Sequence, residues 1–141
     1  MLKRNTALLL FGSYLLILLY SMFFGFSRTQ SPIYMYNFMP FSTVKNYIIH
    51  YEYFPFSTWI INLAGNIGVF IPFGIFLPLL FPILRNIFRF IIIFIIGITM
   101  IESIQLVSKR GSFDVDDIIL NTVGALIGFI VYVGVKKKSN A

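Results

Sequence analysis

The sequence predicts an all-α, polytopic membrane protein: a bundle of four transmembrane helices with a short interfacial helix on the extracytoplasmic side. Hydrophobic residues make up 58% of the 141 residues, charged residues make up 11%, and the mean hydropathy is +0.88. These values lie far from those of soluble domains. The apolar residues fall in four long runs that lack the polar–apolar alternation of a membrane β-barrel. We therefore predict a single transmembrane domain over residues 1–141.

Four spans follow from the rule that about 20 apolar residues cross the bilayer core. We place them at residues 6–26, 57–84, 88–107 and 115–135. The first run is longer than the ~7–15-residue apolar core of a signal peptide, so we predict a retained anchor. In the second run, Pro72, Pro78 and Pro82 predict kinks or an early end, because proline lacks the N–H group and clashes with the preceding turn.

A segment rich in Tyr and Phe separates the first two spans. Within it, Val44, Tyr47, Ile48 and Tyr51 follow the i, i+3, i+4, i+7 spacing of one helix face. Ser42 precedes this run at the position expected for an N-cap. The pattern predicts a short helix that lies in the membrane interface.

The basic residues predict the orientation, since cytoplasmic loops hold an excess of Lys and Arg. Four spans place one basic set on the same side as both termini: Lys3, Arg4, Arg85, Arg89, Lys136, Lys137 and Lys138. The opposite side receives Arg28, Lys45, Lys109 and Arg110. We therefore expect both termini in the cytoplasm. The formal charge of +6 then reflects topology and attraction to anionic lipid, and we expect no nucleic-acid partner, which would call for a basic stripe on a soluble fold.

In this topology all five acids fall on or near the extracytoplasmic face, and four of them lie within residues 101–129. Spacings of three or four residues put polar side chains on one helix face in three sets: Asn62 with Asn66, Glu102 with Gln105, and Asp114 with Asp117 and Asn121. At 1.5 Å of rise per residue, the three sets reach similar depths, ~9–13 Å below the surface. A buried acid faces the bundle interior or a water-filled cavity, so we expect one shared polar pocket that opens outwards.

Simpler roles remain open for these residues. Asp114 and Asp117 fit the N-cap and the N3 position of the fourth span, where carboxylates stabilise free backbone N–H groups. The Asn side chains fit interhelical hydrogen bonds. Glu102 fits a buried pairing with Arg110 or Gln105.

Gly124 and Gly128 form a small-xxx-small pattern in the fourth span. Such a pattern predicts close helix packing, because small residues let two backbones approach each other. The packing partner is either another helix of the same chain or the same helix in a homodimer, and both alternatives stay open.

Composition also narrows the chemistry. The absence of cysteine excludes thiolate chemistry, and a single histidine, His50, excludes a multi-histidine metal site. The sequence contains neither a phosphate-binding glycine loop nor a nucleophile elbow. We expect no cofactor, although Glu102, Asp114 and Asp117 leave an oxygen-ligand site for a divalent cation open.

Four stretches together resemble the VanZ-like family of small bacterial membrane proteins, named for a protein linked to teicoplanin resistance. They are "YNFMPFSTVKNYI", "NLAGNIGVFIPFGIFLPLLFP", "IESIQ" and "RGSFDVDDIILNTVGALIGF", and the resemblance covers about residues 37–129. The positions that carry it are Asn37, Pro40, Phe41, Asn62, Asn66, Pro72, Gly74, Glu102, Gln105, Arg110, Asp114, Asp117 and Asn121. The resemblance implies a cell-envelope role in the bacterial cytoplasmic membrane.

Two function classes fit these observations. In the first, a non-enzymatic envelope protein binds a lipid headgroup, a lipid-linked cell-wall intermediate or a glycopeptide, and thereby changes antibiotic susceptibility. Its expected ligand-binding residues are Asn62, Asn66, Glu102, Gln105, Arg110, Asp114, Asp117 and Asn121. In the second, a membrane-embedded enzyme acts on an outer-leaflet lipid, with Glu102 or Asp117 as general acid/base. We favour the first, because no nucleophile or metal set stands at a spacing that demands chemistry.

Overall fold

The computed structural model describes residues 3–25 and 29–139, which are mostly helical. Within that part of the chain, four helices are long and apolar enough to cross a membrane. They are Arg4–Phe24, Phe56–Leu80, Ile87–Ser108 and Val115–Lys138. The predicted fold class is confirmed. Phe26, where the first span was predicted to end, lies outside the described residues.

Six helices and two short strands follow one another in the described part of the chain. They are α1 (Arg4–Phe24), β1 (Met35–Asn37), α2 (Ser42–Ile49), α3 (Phe56–Ile60), α4 (Asn66–Leu80), α5 (Ile87–Ser108), β2 (Ser112–Asp114) and α6 (Val115–Ser139). A π-helical turn, Ile61–Gly65, joins α3 to α4, so these three pieces form the second span. We call the end of the bundle where α1 and α5 finish the polar end, and the opposite end the aromatic end.

The second span stops earlier than the predicted residue 84. Pro72 and Pro78 lie inside α4, but the helix ends at Leu80, and Pro82 begins a short 3-10 turn. The missing N–H of Pro82 explains the stop, since proline cannot continue the helical hydrogen bonds. Asn86 then opens α5, because its side chain accepts two backbone N–H groups of the first turn at 3.1 and 3.2 Å.

Helices α4 and α6 pack with their backbones in close contact. A Cβ atom at Gly124 would lie 2.0 Å from the carbonyl oxygen of Ile67, and one at Gly128 would lie 1.9 Å from that of Ile71. Gly74 of α4 is equally crowded by the backbone of α6. The predicted close packing at the glycine pair therefore occurs within the chain. A homodimer stays a prediction, and it would need a different surface from these two glycines.

Phenylalanine side chains fill the space between the helices towards the aromatic end. Phe73 of α4 makes edge-to-face contacts with Phe11 of α1 at 5.1 Å and with Phe94 of α5 at 6.0 Å, measured between ring centroids. Phe90 of α5 lies 4.9 Å from Phe129 of α6. Each such pair contributes about 0.5–1.5 kcal/mol beyond the burial of its area. One aromatic core therefore joins all four spans.

A parallel pair of short strands at the polar end was not predicted. Strand β1 pairs with β2, with Tyr36 opposite Phe113 and Asn37 opposite Asp114. Just before β1, the N–H of Ser31 donates to the carbonyl of Lys109 at 2.8 Å. Parallel strands need a long crossover connection, and here α2 to α5 supply it. The pairing brings α2 close to the start of α6.

The interfacial helix is present as α2, but two details of its prediction are wrong. Ser42 is its first residue rather than its cap, and Phe41 occupies the cap position in a left-handed conformation with φ of 62°. Tyr51 lies beyond the helix in a 3-10 turn, Tyr51–Tyr53. The capping acceptor for α2 comes instead from another part of the chain, as the next section shows.

Candidate functional site

Asp114 is buried at the start of α6 and connects that helix to α2. One carboxylate oxygen accepts the backbone N–H of Asp116 at 2.9 Å, which is an N-cap hydrogen bond. The other oxygen accepts the hydroxyl of Thr43 at 2.6 Å, and the amide of Asn37 lies 3.4 Å from the first. Asp114 therefore caps its own helix and also positions α2.

Asp116 joins α6 to α2, a role that its sequence spacing did not predict. Its side chain is 1% exposed. One oxygen accepts the backbone N–H of Phe41, and the other accepts that of Val44 at 3.0 Å. These are the cap and third positions of α2, so an acid on α6 caps a different helix and stands at the positive end of its dipole. The sequence did contain a signal for this role. Three acids occur within residues 114–117, and the N-cap of α6 needs only one of them.

Asp117 faces the second span. The side-chain amide of Asn66 donates to its carboxylate at 2.6 Å, a short bond of the kind that a charged acceptor produces. Asn62 donates to the carbonyl of Thr58 at 2.8 Å within its own helix. Both Asn residues lie in or directly after the π-helical turn, a feature that is frequent at functional sites.

Asn62, Asn66 and Asp117 line the polar part of an open groove between α1 and the second span. The groove has a volume of about 820 Å³, within the range of small-molecule sites. Among the described residues, the remaining lining is mostly apolar: Tyr14, Ile17, Leu18, Ser21 and Met22 from α1, with Thr58, Ile60, Ile61, Ala64, Gly65 and Val69 from the second span. The hydroxyl of Tyr14 donates to the carbonyl of Val69 and joins the two walls. The groove therefore combines mostly apolar walls with a polar end.

Two residues predicted to share a cavity with Asn66 are not among the residues that line this groove. Glu102 of α5 and Asn121 of α6 are each 2% exposed, and neither is among the groove's lining residues. Both are buried inside the bundle, which shields polar groups at membrane depth from lipid. Of the three residues, Asn66 alone lines the groove.

Gln105 and Arg110 contact the end of α1. The amide of Gln105 donates to the carbonyl of Met22 at 2.9 Å. The guanidinium of Arg110 lies 4.7 Å above the ring of Phe24 and donates to the carbonyl of Phe23 at 3.5 Å. A cation at the C-terminal end of a helix is favoured by the free carbonyls and the helix dipole. The two side chains therefore hold one wall of the groove in place.

Tyr47 of α2 lies close to the acidic start of α6. Burial raises the pKa of its phenol above the usual value of 10.0, and the negative charges of Asp117 and Asp114 raise it further. Coulomb interactions fall with distance, so this dependence indicates that the tyrosine is near both carboxylates. Its ring also packs edge-to-face against Phe54 at 4.8 Å. The spacing placed Tyr47 on one face of the interfacial helix but did not indicate that it lies near these acids.

No group of three or more His, Asp or Glu side chains capable of holding a metal ion occurs in residues 3–25 and 29–139. The carboxylate of Asp114 accepts a hydrogen bond from Thr43, and that of Asp117 accepts one from Asn66. The cation site of Glu102, Asp114 and Asp117 stays a prediction without structural support.

Comparison with known proteins identifies the family of this chain. The model of the VanZ/LLP1 family matches residues 11–136, most of the chain. The chain belongs to the VanZ/LLP1 family. Protein VanZ of Enterococcus faecium is 32% identical over 71 residues, which are 50% of this chain and 44% of that protein. The match thus spans less than half of the relative's length, and no solved structure matches the chain.

Membership of the VanZ/LLP1 family confirms the resemblance seen in the sequence. In the structure, the positions that carried this resemblance have different roles. Asn37 donates to the hydroxyls of Ser42 and Thr43 at 3.0 Å each, and so holds the turn into α2. Gly74 permits the close approach of α4 and α6. The positions that line the groove are Asn62, Asn66 and Asp117.

Proposed function

We propose that this member of the VanZ/LLP1 family is a non-enzymatic binding protein of the bacterial cytoplasmic membrane. Its groove binds a lipid headgroup, a lipid-linked cell-wall intermediate or a glycopeptide, and that binding changes susceptibility to glycopeptides such as teicoplanin. One observation carries the proposal: Asn62, Asn66 and Asp117 lie together at the polar end of an apolar groove between two spans. An apolar site with a few convergent polar groups suits a ligand that has a tail and a head.

The distribution of basic residues supports an outward-facing polar end. Lys136, Lys137 and Lys138 lie in the last turn of α6, and Arg85 and Arg89 lie near the connection between α4 and α5. These positions belong to the aromatic end, which the excess of positive charge assigns to the cytoplasm together with both termini. The groove then faces the outer leaflet, the side from which a glycopeptide arrives.

The hydrogen bonds of the acids favour binding over catalysis. Asp114 and Asp116 act as helix caps. Of the two candidate acid/base residues, Asp117 lines the groove and Glu102 does not. Asp117 is held by Asn66, which presents the carboxylate as a fixed acceptor. A binding site needs such an acceptor, whereas acid/base catalysis also needs a proton donor for the leaving group.

Native mass spectrometry of the protein extracted with its lipids tests the proposal. Ala64 lines the groove, so Ala64→Phe should fill it. Gly97 of α5 provides the matched control, because a Cβ atom there meets no atom within 4 Å. We expect one reproducible lipid-sized adduct on the wild type and on Gly97→Phe, and loss of most of it from Ala64→Phe. Equal adducts on all three proteins, or none on the wild type, would contradict the proposal.

A further inference from the structure

A loop of exposed apolar side chains joins β1 to α2. Met39 is 71% exposed, and Phe38 and Phe41 are each 61% exposed. No Lys, Arg, His, Asp or Glu occurs in residues 29–44. Contiguous exposed apolar surface of this kind marks a contact with another molecule or with a membrane. We call residues 38–41 the apolar loop.

The apolar loop has a fixed backbone. The side-chain oxygen of Asn37 accepts the backbone N–H of Met39 at 3.1 Å. Phe41 has a left-handed conformation with φ of 62°, which a bulky side chain rarely adopts. The buried carboxylate of Asp116 accepts the N–H of Phe41 and holds it in this conformation. A rare conformation that the surrounding groups maintain points to a function, and at this position the phenyl ring is exposed.

The spans show where the apolar loop lies relative to the bilayer. Arg89 near the start of α5 and Lys109 directly after its end are 20 positions apart, and a helical rise of 1.5 Å per residue separates them by about 30 Å. That distance is the thickness of the hydrocarbon core, in which charged side chains are costly. Lys109 therefore lies at the edge of the core. Strand β2 begins at Ser112 and pairs with β1, so the apolar loop lies near the same edge.

The side chains at this edge match a lipid surface. The ring centroid of Phe38 lies 5.2 Å from that of Tyr36 and 5.4 Å from that of Phe113. Aromatic residues collect at the boundary between membrane and water. A protein interface adds polar groups that form hydrogen bonds, whereas residues 38–41 carry no polar side chain. The membrane around the spans is therefore the partner that these side chains favour.

Helix α2 supplies less of this contact than its spacing predicted. Val44 and Tyr47, two of the four residues on its predicted apolar face, are partly buried. The backbone N–H of Val44 donates to Asp116, and α2 contacts α6. The protein itself covers part of that face, so the segment needs a further apolar element to hold the membrane. The apolar loop directly before α2 provides it.

We propose that the apolar loop penetrates the bilayer at the polar end of the bundle, with Met39 and Phe41 among the acyl chains of one leaflet. Asp116 positions the loop by fixing the backbone of Phe41. Insertion removes exposed apolar side chains from water, which is favourable in proportion to their area. This inference goes beyond the proposed function of the groove and does not depend on it, because neither Met39 nor Phe41 is among the described residues that line the groove.

Spin labels on single cysteines measure the depth of the loop, since the chain has no cysteine of its own. The labels are attached to Met39→Cys, Lys45→Cys and Ile96→Cys in the full-length protein in phosphatidylcholine nanodiscs. Oxygen concentrates in lipid and a nickel chelate stays in water, so electron paramagnetic resonance reports depth as the ratio of their collision rates with the label. We expect the oxygen-to-nickel ratio at residue 39 to approach that at residue 96, an exposed position in the middle of α5. The ratio at residue 45, an exposed position of α2, should be lower.

Three results would overturn the proposal. A ratio at residue 39 equal to or below that at residue 45 would place the loop in water. A label at residue 39 that meets neither oxygen nor nickel would show that a protein covers the loop. Spin–spin broadening at residue 39 would identify that protein as a second copy of this chain.

A further set of variants tests the positioning role of Asp116. With the label at residue 39, Asp116→Ala should sharpen the spectrum, because the loop loses the acceptor that fixes its backbone. Asp116→Asn keeps one acceptor oxygen and should cause a smaller change. Glu52→Ala, which changes an exposed acid outside the loop, is the matched control and should leave the spectrum as it is. An unchanged spectrum at residue 96 in Asp116→Ala shows that the bundle remains folded, and an unchanged spectrum at residue 39 would contradict the role of Asp116.

Discussion

The four acids between residues 101 and 129 have four different environments. Asp114 caps α6, Asp116 caps α2, Asp117 lines the groove and Glu102 is buried inside the bundle. A carboxylate in a membrane protein is costly unless hydrogen bonds or charges stabilise it. The groups around each side chain therefore determine its role. Acids that are neighbours in sequence have different roles.

Asp117→Asn and Glu102→Gln test whether charge, rather than shape, matters for function. Both changes keep the size of the side chain and one acceptor oxygen, so we expect protein abundance in the membrane to stay near that of the wild type. We expect Asp117→Asn to abolish any increase in teicoplanin resistance that overexpression confers, because Asp117 lines the groove, and Glu102→Gln to leave it unchanged, because Glu102 is not among the lining residues. Growth inhibition by teicoplanin and quantitative immunoblotting measure the two effects.

The control for this comparison is Glu52→Gln, which removes an exposed acid outside the groove. It should retain the resistance phenotype. Parallel loss of abundance and phenotype in Asp117→Asn would indicate a structural role for that carboxylate, and full retention of the phenotype would remove it from the mechanism.

At the level of elements, α2 owes its conformation to α6. A helix of eight residues is too short to be stable alone in water. Asp116 satisfies two of its first N–H groups, and Asp114 binds the hydroxyl of Thr43 in its first turn. The acidic start of α6 is therefore the anchor of the interfacial helix.

Asp116→Ala should release α2 without unfolding the bundle. Loss of hydrogen bonds to a buried charged acceptor costs about 1–3 kcal/mol. We expect amide hydrogen exchange in residues 41–49 to become roughly 10–100-fold faster, while exchange in α4 and α6 stays unchanged. Glu52→Ala, a change at an exposed acid, should leave the exchange of α2 as it is. Equal acceleration in all helices would mean that Asp116 stabilises the whole fold instead.

The contact of α4 with α6 requires glycine at particular positions. Gly124→Ala places a methyl group 2.0 Å from the carbonyl oxygen of Ile67, so the helices must separate. We expect a loss of stability of at least about 1–3 kcal/mol in thermal or denaturant unfolding in detergent. Gly134→Ala on the same helix meets no atom within 4 Å and should be neutral or stabilising by up to about 1 kcal/mol. Similar stabilities of the two variants would contradict this packing.

Across the whole molecule, polar and aromatic parts are separated along the bundle axis. The aromatic core around Phe73 joins the four spans towards the aromatic end, and the strands, α2 and the groove lie towards the polar end. The aromatic core needs no hydrogen-bond partner and tolerates burial, whereas the polar groups must find acceptors and donors near one surface. This separation lets an open groove coexist with a well-packed bundle.

Orientation in the membrane can be measured with single cysteines, because the chain has none of its own. Ser139 ends α6, and Lys45 is an exposed residue of α2 at the polar end. We expect an impermeant thiol reagent to label Lys45→Cys in intact cells, and Ser139→Cys only after permeabilisation. Labelling of both positions from outside would contradict the four-span topology with cytoplasmic termini.

Several features of this protein were determined by its sequence alone. The four apolar runs identify the spans, although the second ends at Leu80 rather than at the predicted residue 84, and the Gly124 and Gly128 pair predicts close packing. These features depend on composition and short periodicities, which are local properties of the chain. For the same reason, the quoted motifs were sufficient to indicate the family.

Other features were decided only by tertiary structure. Asn66 meets Asp117 across 51 positions of sequence, and Asp116 meets Val44 across 72. Helical spacing shows which side chains share a face, but it does not show which helix lies opposite that face. The parallel strands select α2 as the neighbour of α6, and the π-helical turn sets the direction of Asn62 and Asn66. The groove therefore depends on contacts between distant segments, because hydrogen-bond partners are set by the packing of whole helices.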